Sequence, residues 1–231
     1  MTSNWDDLRR VTVLADLPDT AIQAFAKHCH WHVFSRDEIL TDHLDADTDV
    51  YFILEGQVCI DIYSPSGRRV SFADLHAGET IGIVSAIDGL PRSARVTAAV
   101  QTRVARATAE AFDHLMAQYP IVVRAVLKDV ATIIRRTTDR VFELTTLTSN
   151  YRILAELLRL ARSNQVTGHT AVLSPAPRQN DIADRCSSTR ETVARMFSLL
   201  SKRGIIRRAP GTLYISDLDQ LADLVEEYRD V

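Results

Sequence analysis

Arg190, Glu191 and Arg195 lie in the stretch from Gln179 to Gly204, where apolar residues recur at helical spacing. At 100° per residue the three positions span about 140° of helix circumference. Val193, Phe197 and Leu200, spaced i, i+4, i+7, form the opposite apolar stripe. Two guanidinium forks and a carboxylate on the outer side of a half-buried helix suit the base edges of a DNA major groove. Arginine can donate to guanine O6 and N7, and glutamate can accept from cytosine N4. The residues before them read as a shorter helix and a tight turn, so the stretch is predicted as a helix-turn-helix. Ser188-Thr189-Arg190-Glu191 also has the form of a capping box, in which Glu191 would hold the backbone N–H at the helix start.

Charge supports the same chemistry locally. The chain carries a net charge of −3, yet Arg178 to Arg208 holds eight Lys/Arg against three Asp/Glu. Each phosphate neutralised releases counterions, so a local basic face matters more for DNA than whole-chain charge. Lys202, Arg203, Arg207 and Arg208 extend that face, as phosphate contacts or as a solvated surface. No constellation suggests catalysis. Cys29, Cys59 and Cys186 lack CxxC spacing, which argues against a disulfide framework or a cysteine-held cluster and for a reducing cytoplasm. His28, His30 and His32 alternate around Cys29 and Trp31, but no nearby Glu completes a ligand set, so surface histidines and no metal are expected. No signal-like start and no apolar run near 18 residues is present, so no membrane span is expected.

The elements that would carry these residues change texture along the chain. Residues 5–31 read as a helical lead-in, with Asp19 opening a helix through Ile22, Phe25 and Ala26. From about Val33 to Ala107 period-two alternation takes over, as in Val58, Ile60, Ile62 and in Val96, Ala98, Val100. Turn signals at Glu55-Gly56, Pro65-Ser66-Gly67, Ala77-Gly78 and Asp88-Gly89 punctuate it, which predicts an antiparallel sandwich or barrel. Helix returns at about Glu110, and after Pro120 an uninterrupted segment runs from Ile121 to about Leu147. Val123, Leu127, Val130, Ile134, Thr137, Val141, Leu144 and Thr148 form a heptad seam there, which asks for a partner helix and predicts a homodimer through 121–147. A helical block around Ile153–Ala161, a polar loop Asn164–Thr170, the helix-turn-helix, a hairpin wing around Ala209-Pro210-Gly211 and a closing helix capped by Asp217 complete the reading.

Order and residues together resemble the Crp–Fnr superfamily of bacterial transcription regulators over nearly the whole chain. Thr189-Arg190-Glu191-Thr192-Val193-Ala194-Arg195 is close to that family's S-R-E-T-V-G-R, and Gly78-Glu79, Gly82 and Pro91-Arg92-Ser93-Ala94 look like its phosphate-binding cassette. The resemblance implies an α+β chain: a cyclic-nucleotide-binding-type β-roll (1–109), a helical region with the dimerisation helix (110–148) and a winged helix-turn-helix (149–231). It implies that Arg190, Glu191 and Arg195 read bases, in a TGTGA-type half-site of an inverted repeat, with Ser188 and Thr189 near phosphates. It also implies a small effector, possibly a cyclic nucleotide, held by Arg92 and Ser93 with Gly82 and Ile83 at the pocket. Thr137 and Thr138 match positions that contact the purine. Ile83 stands where cyclic-AMP binders usually have Glu for the ribose hydroxyl, which puts cyclic AMP in doubt. RNA polymerase would be a partner of an activator.

Overall fold

The computed structural model describes residues 5–229 apart from Ser66 and Arg68, so Ser66 of one turn signal lies outside the described residues. The chain forms two compact units that divide between Arg136 and Thr137.

The first unit opens with a 3-10 helix, Trp5–Arg10, and α1, Asp19–Ala26. Strands begin at Cys29, earlier than the predicted Val33, because β1 (Cys29–Phe34) pairs along its whole length with β8 (Thr102–Ala107). One antiparallel sheet has the order β1-β8-β3-β6, with β3 at Val50–Glu55 and β6 at Thr80–Ile81. The other has the order β2-β7-β4-β5, with β2 at Ile39–Thr41, β4 at Gln57–Tyr63, β5 at Arg69–His76 and β7 at Arg95–Ala98. Alternation along β3 divides its side chains between two cores. Val50, Phe52 and Leu54 join Ile22, Phe25 and Phe112 under the helices, while Tyr51 and Ile53 join Val58, Val96 and Val104 between the sheets.

Two local readings change. A bulge between Ile60 and Asp61 shifts the β4 register, so Asp61, not Ile62, turns inward and is buried opposite Ser71. The turn signal at Asp88-Gly89 closes a helix and does not link two strands: Gly89, with φ of 68°, ends the short helix α2, Ile83–Asp88.

Helix α3 (Ala109–Gln118) is capped by Thr108, whose hydroxyl accepts from the Ala111 N–H. Pro120 then starts α4, Pro120–Thr146, a continuous 27-residue helix about 40 Å long. The second unit contains the rest of α4, then α5 (Ser149–Arg162), the hairpin β9 (Gln165–Thr167) and β10 (Thr170–Leu173), α6 (Gln179–Arg185) and α7 (Arg190–Lys202). The wing strands β11 (Ile206–Ala209) and β12 (Thr212–Ile215) and helix α8 (Leu218–Glu227) follow. The polar stretch 164–170 is thus a hairpin and not a loop, because β10 also pairs with β12 and gives β9 an edge to join. Asp217 caps α8 as expected, accepting from the Gln220 N–H.

Candidate DNA-reading helix and anion site

Helix α7 is buried on one side through Val193, Met196, Phe197 and Leu200, all in the core of the second unit. Arg190, Glu191 and Arg195 are exposed on the other. The N-cap is Thr189, whose hydroxyl accepts from the Thr192 N–H at 3.2 Å. The cap therefore sits one residue later than the Ser188-to-Glu191 spacing suggests, and Thr192, not Glu191, occupies the third helical position. Glu191 instead lies beside the Thr189 hydroxyl, whose hydrogen bond, together with the backbone and the charges of Arg190 and Arg195, holds its carboxyl below the usual range. Ser188 is half-buried in the turn, its N–H donating to the Ala183 carbonyl at 2.9 Å. Lys202 closes the helix, exposed. In the wing, Arg208 stacks over Phe197 at 4.4 Å and Arg207 over Tyr214 at 4.2 Å, so both stems are fixed.

One residue outside every predicted motif anchors this turn. Arg152 of α5 donates from Nε to the Cys186 carbonyl at 2.9 Å, and from Nη1 to the Leu147 carbonyl at 2.6 Å. Leu147 directly follows the last residue of α4, where carbonyls lack intrahelical partners, whereas the Glu143 carbonyl already accepts from the Leu147 N–H at 3.2 Å. Arg152 therefore joins the C-terminus of α4 to the turn ahead of α7. The Cys186 thiol returns a bond to the Arg152 carbonyl at 3.4 Å, and burial pushes its pKa up to about 12. It is a packing residue, not a reactive thiol.

In the first unit Arg92 is 3% exposed. Its Nη2 donates to Asp47 Oδ2 and to the Asp49 carbonyl, both at 2.6 Å. Nε and Nη1 are buried without a hydrogen-bond partner. Gly82, with φ of 86°, makes the packing possible, since a Cβ there would lie 2.3 Å from Arg92 Nη1. Buried guanidinium donors without acceptors fit an anion such as a phosphate. A ribose fits less well. Ile83 is 3% exposed and packed in the helical core with Phe52 and Phe112, so the side chain after Gly82 offers no acceptor. Ser93 is exposed beside Arg92.

The surroundings of Arg92 were not foreseen. Asp47 Oδ2 also accepts from the Tyr51 hydroxyl at 3.2 Å, and Asp47 Oδ1 accepts from the Asp49 N–H at 2.9 Å. Arg106 Nε pairs with Asp49 Oδ2 at 2.6 Å, and Arg106 Nη2 lies 3.8 Å from Asp47 Oδ1. Burial pushes the Asp47 carboxyl up, but the bonds from Arg92 and the Asp49 N–H, with the charges of Arg92 and Arg106, bring it below its ordinary value. Two arginines thus meet two aspartates, and the cluster is neutral.

Thr137 and Thr138 lie exposed on α4 in the second unit. Of the seam, Leu127, Ile134, Val141 and Leu144 are exposed, as is Val123, while Val130 packs against the first unit's core beside the buried Val122 and Val126. Thr148 leaves the seam: it caps α5, accepting from the Tyr151 N–H, because α4 ends at Thr146. His30 and His32 are exposed on β1 and His28 precedes it. Among the described residues no group of three His, Cys, Asp or Glu is placed to hold a metal ion. None of their helices is long and apolar enough to cross a membrane.

Two family models match this chain: the cyclic nucleotide-binding domain over residues 31–119 and the Crp-like helix-turn-helix domain over residues 151–224. The cAMP-activated global transcriptional regulator CRP of Salmonella typhimurium is 25% identical over 198 residues, covering 85% of this chain and 94% of that protein. The CRP-like cAMP-activated global transcriptional regulator of Mycobacterium tuberculosis is 26% identical over 216 residues, covering 93% and 96%. Among solved structures, FixK2 from Bradyrhizobium japonicum matches with a TM-score of 0.72 at 22% identity, covering 85% of this chain and 96% of that one. The c-di-GMP responsive global regulator CLP of Xanthomonas campestris matches with a TM-score of 0.77 at 18% identity, covering 86% and 99%. At such identities the structural likeness is one of fold.

Proposed function

The chain belongs to the Crp–Fnr superfamily of DNA-binding transcription regulators, and from that premise we propose that it reads an inverted repeat as a homodimer. The observation that carries the proposal is the exposed Arg190, Glu191 and Arg195 face of α7, set on a helix whose other side is fully buried. The two arginines and Glu191 contact bases, while Ser188, Thr189 and Lys202 lie along phosphates. The exposed apolar stripe of α4 from Val123 to Leu144 pairs with its copy and sets the two reading helices about one turn of DNA apart. As an activator such a dimer would also meet RNA polymerase.

A small anionic effector of the cyclic-nucleotide class binds in the first unit at Arg92 and Ser93, beside Gly82 and Ile83. Its binding shifts the balance between two arrangements of the DNA-binding units through the break at Leu147-Thr148. The shift is limited to the effector's difference in affinity for the two states. Anisotropy titrations at fixed salt, with a TGTGA-type inverted repeat and a scrambled duplex, test the DNA reading. Tight binding of the repeat alone is expected, with the preference relaxed at one base position in Arg190→Ala. Equal binding of both duplexes by the unmodified protein refutes sequence-specific reading.

A further inference from the structure

Resting on the assignment of Arg92 as the effector's anion site, we infer that Asp47 is a built-in competitor for that anion and sets the threshold for effector binding. The Asp47 carboxylate presents two anionic oxygens to three donors: Arg92 Nη2, the Tyr51 hydroxyl and the Asp49 N–H. A phosphate uses such a set in the same way, through charge-assisted bonds to a guanidinium and neutral bonds to hydroxyl and backbone. Asp47 thus stands on Arg92 as an effector phosphate would.

Charge makes the competition costly to avoid. Arg92 and Arg106 are already matched by Asp47 and Asp49. An anion added without displacing a carboxylate would give this cluster a net negative charge beside groups that are largely buried. Of the two carboxylates, Asp47 is the one built to leave. Its side chain is more exposed than that of Asp49, at 27% against 17%. Asp49 is retained by its ion pair with Arg106, and its carbonyl still holds Arg92. Displacement would therefore release one carboxylate to solvent and leave Arg92 anchored by the backbone. Tyr51, which lies 5.6 Å from Arg92 and 5.7 Å from Arg106 by ring centroid, would keep both guanidiniums in place.

The test uses the full chain as wild type, Asp47→Asn, and Asp47→Asn combined with Arg92→Met. Asparagine preserves shape and the acceptor for the Asp49 N–H while removing the charge; Asp47→Ser serves as a second variant if the first does not fold. Inorganic phosphate and cyclic AMP are the probes, read by calorimetry and by the thermal midpoint of tryptophan fluorescence. Trp5 and Trp31 both belong to the first unit. The Asp47 variant should bind phosphate about ten- to a hundredfold more tightly than wild type, the worth of one charge-assisted bond. That gain should vanish when Arg92 is also replaced. Absence of phosphate-dependent stabilisation in the Asp47 variant overturns the inference, as does a gain that survives without Arg92. Stronger phosphate binding without any cyclic-nucleotide binding keeps the competitor and removes the nucleotide reading. Equal cyclic-AMP affinity in wild type and Asp47→Asn does the reverse.

Discussion

Replacing Arg152 with methionine keeps the aliphatic stem and removes the guanidinium that joins the end of α4 to the turn before α7. Two of its bonds are short, 2.9 Å to the Cys186 carbonyl and 2.6 Å to the Leu147 carbonyl, while a third, to the Glu143 carbonyl, is 3.4 Å. A hydrogen bond from a charged donor is worth about 1.5–3 kcal/mol. Arg152 is only half-buried, so water can replace part of what is lost, and about 2 kcal/mol for the whole set is a fair figure. In a domain of this size that lowers the melting temperature by about 10 °C. Both tryptophans lie in the first unit, so far-UV circular dichroism should show the lowered transition while tryptophan fluorescence retains its midpoint. Arg152→Lys should recover part of the loss, since an ammonium can serve one carbonyl but not both sides of the joint. A methionine variant whose circular-dichroism transition stays within a degree of wild type would show that the joint is made by packing, and the reasoning would fail.

Three further outcomes follow from the same physics. Thr189→Ala should destabilise the second unit by about 1 kcal/mol in chemical denaturation and Ser188→Ala by much less, because Thr189 is the cap of α7; the opposite order would restore the Ser188 register. Leu127→Glu with Ile134→Glu places charges on the exposed stripe of α4 and should convert a dimer to monomer by light scattering; an unchanged mass would remove α4 as the dimer seam. The hydrogen bond from Arg95 depresses the Asp42 pKa below 3.8, and the Asp47 carboxyl is also lowered. Their stabilisation is complete above the unfolded pKa and is lost as pH falls through the lower folded values. Tryptophan fluorescence should therefore show the first unit weakening only below about pH 4, with a smaller acid effect in Asp42→Asn; identical acid profiles would contradict the assignment.

Where the sequence was legible, one physical signal dominated. The period of α7 separated its buried and exposed faces because both kinds of residue are present and well spaced, and Asp217 identified the cap of α8 through chemistry local to three residues. Ambiguity entered where two neighbours share a chemistry. Ser188 and Thr189 are both good caps, and only the position of the Thr189 hydroxyl against the Thr192 N–H decides between them. The hairpin at 165–173 was read as polar loop because β9 has one apolar residue and is stabilised by pairing with β10, not by its own pattern. Asp47 and Arg152 were invisible for a stronger reason. Their partners lie up to 45 and 34 positions away, and all three Arg152 acceptors are backbone carbonyls, which every residue type carries alike.

Three arginines of this chain show why residue type alone underdetermines role. Arg152 donates to neutral backbone carbonyls at the end of α4 and in the turn before α7, so its bonds are structural and no carboxylate stands on them. Arg92 donates to a carboxylate, which a competing anion can replace at little net change in charge, so its bond is exchangeable. Arg195 donates to the neutral Thr192 hydroxyl at 3.2 Å on an exposed helix face, so a DNA acceptor need displace no carboxylate to reach it. Binding there releases counterions from DNA without first breaking an ion pair in the protein, and the salt dependence should then follow the number of phosphates neutralised. The proposed effector site has the opposite design, since an anion there would exchange with Asp47 on Arg92. On the proposed assignments the exposed face of α7 is free to meet DNA, and the restraint lies at Arg92.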